Sequence, residues 1–272
     1  MRTTSETKLC AGVGFPMKKS MGVIIHNALF ERENIDAVYM SVEKENITEF
    51  VTIVRSFPLH MCPVTAPHKQ TVMPLLDEID PAAQEIGAVN TIINRDGTLY
   101  GYNTDLAGIA ASLKHLDLAG KKVLVLGAGG VAQPVAYYLR SVGANWYCIN
   151  RDTEKAYALC RKFNGKSISE SEIAGHTFDL IINATSIGMA SQINETPFES
   201  IYLSPKTTVF EIVYNPFETR LLREARERGS PTIGGLGMFI NQALEQQHLW
   251  HGRIFEDKGY TELIRAELEK NK

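Results

Sequence analysis

The sequence predicts an α/β protein of two domains, on three observations. Its 272 residues exceed the usual size of a single domain. Strand-like and helix-like stretches alternate almost from end to end, which favours mainly parallel strands. The hydrophobic fraction of 44% and the charged fraction of 22% are those of an ordinary globular chain, with no internal repeat or long charge block.

The elements follow in order. KLCAGVGF (8–15) reads as a strand, MGVIIHNALFERENI (21–35) as a helix and AVYMSVE (37–43) as a strand. NITEFVTIVRSF (46–57) gives a helix, LHMCPVT (59–65) a strand and HKQTVMPLLDEI (68–79) a helix. AVNTIINRDGTLYGYNTD (88–105) has alternating apolar residues on either side of Asp96-Gly97, the signature of a hairpin. A linking helix begins at LAGIAASLKHL (106–116), so the domain boundary falls near Asp105. The expected division is 1–104 and 105–237, with the helices of 238–272 packing back on the first domain. The second half opens with strand, glycine turn, helix and strand over 120–152, the size of a βαβ unit. Strands follow at FDLIINATS (178–186) and TTVFEIVY (207–214), and helices at ETRLLREARERG (218–229) and from about Met238. The C-terminal EDKGYTELIRAELEKNK (256–272) is an amphipathic helix.

Composition excludes several functions. A net charge of −3 argues against nucleic acid or an anionic membrane as the main partner. The N-terminus lacks the apolar core of a signal peptide, and no run approaches the roughly 18 apolar residues of a membrane span. Cys10, Cys62, Cys148 and Cys160 show no CxxC spacing and sit mostly in apolar segments. They read as reduced core thiols of a cytoplasmic protein, with no disulfide framework and no metal site.

VLGAGGVA (125–132) places Gly127, Gly129 and Ala132 on the G-x-G-x-x-G/A pattern between an apolar strand and a helix. Gly127 permits the tight turn, Gly129 a close approach of backbone to a pyrophosphate, and Ala132 close helix–strand packing. The helix N-terminus offers free N–H groups to the phosphates, so Ala128, Gly130 and Val131 join the predicted cofactor site. An NAD-binding chain typically carries an acid about 20 residues later, to bond the ribose 2′-hydroxyl. Here Asn150 stands there, followed by Arg151 and Lys155, cations suited to a 2′-phosphate. NADP is therefore expected ahead of NAD. Asp152 is a contrary signal, because its carboxylate would repel that phosphate or occupy Arg151. A dinucleotide cofactor implies hydride transfer, which needs a proton donor beside the developing alkoxide. Lys69, after Val64-Thr65-Ala66-Pro67 at a strand end, suits that role, with Asp105 the obvious carboxylate to hold its ammonium.

GFPMKKSMGVIIHNALF, VTAPHK, GAVNT, GYNTD, VLGAGGVA, NRDTEKA, INATSIGM, VYNP and GGLGMFINQA come in the order and spacing of the shikimate dehydrogenase family, which the chain resembles over essentially its whole length. The resemblance implies an N-terminal substrate domain and an NADP-binding Rossmann domain with a cleft between them. It implies a CH–OH oxidoreductase of aromatic amino acid biosynthesis, acting on small molecules as a monomer or homodimer. It makes Lys69 and Asp105 the catalytic pair, and Ser20, Thr65, Asn90, Tyr214 and Gln242 substrate-binding residues. Gly235 and Met238 would lie near the nicotinamide, and Thr185 would be a further cofactor-binding residue.

Two departures bear on the substrate. The family usually has Ser-x-Ser where this chain has Ser20-Met21-Gly22, and an Asn where it has Pro63. A weaker grip on the shikimate carboxylate is expected, with quinate or a related ring acid as another substrate. Lys18 or Lys19 would be a replacement cation. The alternative is a catalytically weak binding or regulatory paralogue. His26, on an apolar helix face, and His68 read as packing residues.

Overall fold

The computed structural model describes residues 3–17, 20–189 and 192–270. Lys18 and Lys19 lie outside the described residues. The chain divides into two compact units, Met1–Asp105 with Ile240–Glu267, and Leu106–Phe239 with Leu268–Lys272.

The first unit begins with β1 (Lys8–Gly14), α1 (Met21–Arg32), β2 (Ala37–Glu43), α2 (Ile47–Ser56) and β3 (Met61–Pro63). β4 (Glu78–Ile79), α3 (Pro81–Ile86), β5 (Thr91–Arg95) and β6 (Thr98–Tyr102) complete its N-terminal part. β1 and β2 are parallel, and bridges at Leu9–Leu59 and Val13–Val64 join β1 to the β3 segment. β3 pairs antiparallel with β5, β5 antiparallel with β6, and β6 parallel with β4. The hairpin turn has Asp96 at φ 52° and Gly97 at φ 91°, the left-handed pair that a two-residue loop requires. Asn46 caps α2 through Thr48 N, and Asp80 caps α3 through the N–H groups of Ala82 and Ala83. Phe50, Val51 and Val54 of α2 bury against Ala11, Val13, Cys62, Val64 and Ile92 of the sheet. Each such side chain contributes about 1.5–3 kcal/mol on burial.

One expectation fails here. Residues 68–79 form no helix: turns lead to a 3-10 turn at Met73–Leu75, and Glu78 and Ile79 enter β4. Pro74 has no N–H to donate to a helical ladder, and β6 offers an open edge for Glu78 and Ile79.

The second unit carries α4 (Asp105–Leu113, whose first residue belongs to the first unit), β7 (Lys122–Leu126), α5 (Ala132–Ser141), β8 (Asn145–Ile149), α6 (Thr153–Phe163) and β9 (Lys166–Ser167). α7 (Glu170–Ile173), β10 (Leu180–Asn183), β11 (Thr208–Glu211), α8 (Arg220–Glu227) and β12 (Thr232–Gly234) follow. All six strands are parallel, in the order β12-β11-β10-β7-β8-β9. The order reverses at β7, whose carboxyl end leads into the glycine turn, and such a switch point is where open α/β sheets bind ligands. Continuous apolar runs such as Val123-Leu-Val-Leu126 suit strands covered on both faces. α9 (Leu236–His251) passes from the second unit to the first between Phe239 and Ile240, and α10 (Tyr260–Lys270) closes the chain. The division thus differs from the expected one. Met238 and Phe239 group with the second unit, as does Leu268, and Met238 buries with Ile109 and Leu113.

Candidate functional site

In the first unit a polar cluster forms around Asp105. The turn after β3 brings Lys69 to it, and the Lys69 carbonyl is fixed by Val89 N at 2.7 Å. Lys69 Nζ donates to Asp105 Oδ2 at 2.6 Å, and the two side chains keep 21% and 11% of their exposure. Asn90 Nδ2 donates to the other oxygen, Oδ1, at 2.9 Å. Asn90 is itself held: its Oδ1 accepts from Thr104 N and from Thr91 Oγ1, both at 2.8 Å. Gln242 of α9 reaches the same cluster through Thr104 Oγ1, at 3.4 Å. The Asp105 carboxylate is therefore gripped on both oxygens, and Lys69 is aimed by it.

Thr65 is exposed, with its backbone N–H on Val13 O. Ser20 is the N-cap of α1, yet its hydroxyl makes no capping bond. A Cβ at Gly22 would stand 3.0 Å from Ser20 Oγ and 3.2 Å from Tyr39 Oη, so two hydroxyls converge where a second serine would point. A Cβ at Gly12 would overlap the Tyr39 hydroxyl outright. Sequence reasoning missed Tyr39, which reads as one more apolar residue of a strand. The only signal was glycine at both 12 and 22. Burial pushes the Tyr39 hydroxyl far up, so it stays a neutral donor.

His26 and His68 are both buried. His26 packs on Tyr39, with ring centroids 4.6 Å apart, and faces Gln247 at 2.8 Å. Burial lowers its pKa to about 3. His68 Nε2 bonds Lys44 O at 2.7 Å.

In the second unit Gly127 adopts φ +102°, and a Cβ there would lie 2.8 Å from Thr185 Cγ2. Only glycine fits this turn. Beyond Ala128, space opens beside Gly129 and Gly130. The N–H groups of Gly129, Gly130 and Val131 have no partner among the described residues, and Ala132 N bonds Gly129 O at 3.1 Å as α5 starts. Unsatisfied donors at a helix N-terminus fit a dinucleotide pyrophosphate.

Asn150 Oδ1 accepts from Ala128 N at 3.3 Å, tying the glycine turn to the end of β8. Arg151 is exposed and makes no ion pair among the described residues. Asp152 does not occupy it, contrary to one sequence expectation. Its carboxylate caps α6 through Lys155 N at 3.2 Å and lies 3.4 Å from Lys155 Nζ. That backbone bond, then the ammonium, holds Asp152 below the usual carboxylate range. Lys155 is thus partly neutralised, whereas Arg151 has no acidic partner among the described residues.

Tyr214 stacks on Phe239 with centroids 4.5 Å apart, and burial pushes its hydroxyl up to about 12. Gly235 is buried against Ile212 O, and Met238 lies in the apolar core with its carbonyl against Gly108.

A parallel sheet with a glycine turn at its switch point, and a separate lysine–carboxylate cluster, define a two-domain α/β protein of the dinucleotide-binding dehydrogenase type. A family model described as shikimate dehydrogenase substrate binding domain matches residues 13–92, and one described as shikimate / quinate 5-dehydrogenase matches residues 109–203. The shikimate dehydrogenase (NADP(+)) of Caldanaerobacter subterraneus subsp. tengcongensis is 37% identical over 98% of this chain and 100% of its own. The crystal structure of shikimate dehydrogenase from Aquifex aeolicus superposes with a TM-score of 0.90 at 34% identity, covering 97% of this chain and all of that one. The Thermus thermophilus enzyme, solved in complex with NADP(H) and shikimate, gives 0.88 at 30% identity, over 95% and 99% of the two chains. The chain belongs to the shikimate dehydrogenase family.

Proposed function

We propose that the protein is an NADP-dependent oxidoreductase that interconverts shikimate and 3-dehydroshikimate, or a closely related hydroxylated ring carboxylate such as quinate. The observation that carries this reading is the Lys69–Asp105 pair, 2.6 Å apart and braced by Asn90. Hydride transfer to a ketone leaves an oxyanion that must be protonated. Lys69 Nζ hands a proton to that oxygen and takes one back from the alcohol in the reverse direction. Asp105 holds the ammonium in place, and Asn90 keeps the carboxylate from turning away.

Thr65, Asn90 and Gln242 offer bonds to ring hydroxyls, while Ser20 and the Tyr39 hydroxyl beside it offer donors to the ring carboxylate. In the second unit Tyr214, neutral at ordinary pH, offers a hydroxyl donor of its own. NADP, when bound, supplies the hydride donor or acceptor. The N–H groups of Gly129, Gly130 and Val131 would hold its pyrophosphate, and Asn150 and Arg151 its 2′-phosphate end. Thr185, Gly235 and Met238 would belong to its nicotinamide end.

The test is the NADPH absorbance change with shikimate and with quinate, each assayed with NADP and with NAD. Oxidation of a ring hydroxy acid with NADP preferred is the expected result. NADP binding without turnover of any ring hydroxy acid would overturn the enzyme reading in favour of a regulatory paralogue.

A further inference from the structure

Glu211, at the end of β11, is completely buried, yet no cation reaches it among the described residues. Its carboxylate is instead enclosed by donors from separate segments. Asn183 Nδ2, at the end of β10, donates to Oε1 at 2.9 Å and Oε2 at 3.0 Å. Val213 N donates to Oε1 at 2.9 Å, and the Thr219 hydroxyl, at the start of α8, to Oε2 at 2.9 Å. An uncompensated carboxylate in an apolar interior is costly, and a stability role alone would be met as well by an apolar side chain.

Its bonds lead in two directions. With its amide nitrogen committed to Glu211, Asn183 turns Oδ1 to Thr185, accepting from Thr185 N at 3.0 Å and Oγ1 at 2.7 Å. Thr185 Oγ1 then accepts from Ile187 N at 3.1 Å, which closes the loop, while its methyl lies over Gly127. In the other direction, the bond to Val213 N fixes the backbone next to Tyr214. The Glu211 carbonyl also lies within 2.9 Å of where a Cβ at Gly235 would stand. Thr185, Tyr214 and Gly235 thus hang from one side chain and its own backbone.

We propose that Glu211 is a positioning residue that sets the nicotinamide end of the cofactor site, through Asn183 to Thr185 and through Val213 to Tyr214. This rests on the cofactor reading above and deepens it. Glu211 touches neither substrate nor cofactor; it acts by fixing the loops that do. In its ionised form, which prevails above about pH 7, the side chain accepts at both oxygens, whereas an amide at the same place accepts at one and presents a donor to Asn183 Nδ2.

The experiment compares the parent with Glu211→Gln, measuring by calorimetry the binding of NADP and of 2′,5′-ADP, which lacks the nicotinamide half. Glu211→Gln should weaken NADP by about fivefold or more and lower kcat by about tenfold or more, with 2′,5′-ADP affinity held. Thr219→Val, which removes one donor, should move the NADP to 2′,5′-ADP affinity ratio the same way by a smaller factor if the first variant fails to fold. In the double variant with Asn183→Ala the losses should not add. Equal weakening of both ligands, or no change in either, overturns the proposal. A parent that binds NADP but turns over no ring acid overturns the substrate reading instead, and the binding comparison still decides the role of Glu211.

Discussion

Lys69 and Asp105 make a claim about chemistry that single substitutions can check. A group of this kind contributes roughly 10²–10⁴-fold to turnover, so Lys69→Ala should lower kcat by that order with NADP affinity unchanged. Asp105→Asn keeps the shape but removes the charge that aims the ammonium, and it should also lower kcat. A double-mutant cycle should show the two effects to be non-additive, because each oxygen of Asp105 is committed, one to Lys69 and the other to Asn90. Parent-like rates for Lys69→Ala would remove the assignment. Gly22 is the second residue to test. Restoring a hydroxyl by Gly22→Ser should raise kcat/KM for shikimate, by about tenfold for one bond worth about 1.4 kcal/mol. The new Cβ would crowd Ser20 Oγ at 3.0 Å, but that hydroxyl makes no capping bond that the crowding would break. Gly22→Ala, with the same crowding and no hydroxyl, should give no gain. A loss with both would mean that this end of the site has been rebuilt around Tyr39.

Among the elements, α6 shows how a cap decides a ligand. Asp152 looked like a residue that would cancel Arg151, yet a helix needs its first N–H groups satisfied and the carboxylate does that instead. Arg151→Ala should therefore weaken NADP by about 1.5–3 kcal/mol, the scale of a charge-assisted bond, and barely affect NAD. Titration of the parent showing equal affinity for the two cofactors would refute the preference. Most elements were legible in this way. The hairpin announced itself by Asp96-Gly97, and β7 by an apolar run ending in glycine. The segment 68–79 did not, because its apolar spacing matches a helix while Pro74 and an open sheet edge, neither visible in that spacing, decide against one.

Across the whole molecule, two buried titratable groups give the units opposite pH responses. In the first unit His26 is buried neutral with a pKa near 3, while the unfolded chain takes up the proton near 6.5. Its stability contribution is present above pH 6.5 and lost as pH falls toward 3. In the second unit burial pushes Glu211 up to about 7 from an ordinary 4.5. The folded state then keeps a proton that the unfolded chain has released, so this contribution is present below pH 4.5 and lost as pH rises through about 7. Glu211→Gln should remove the second response. From about pH 4 to about pH 8, the difference in unfolding free energy should move in its favour by about 3 kcal/mol in denaturant melts. A constant difference across that range would mean that the carboxylate titrates normally. The sequence by itself determined the α/β class, the glycine turn and the lysine, because periodicity, backbone freedom and rare residue types are local properties written along the chain. The tertiary structure alone decided that Asn90 grips Asp105, that Tyr39 fills the space left by Gly12 and Gly22, and that Glu211 anchors Thr185 and the backbone beside Tyr214. Asn90 and Asp105, Tyr39 and Gly12, and Glu211 and Asn183 are separated in sequence, and only packing determines which donor lies within 3 Å of which acceptor.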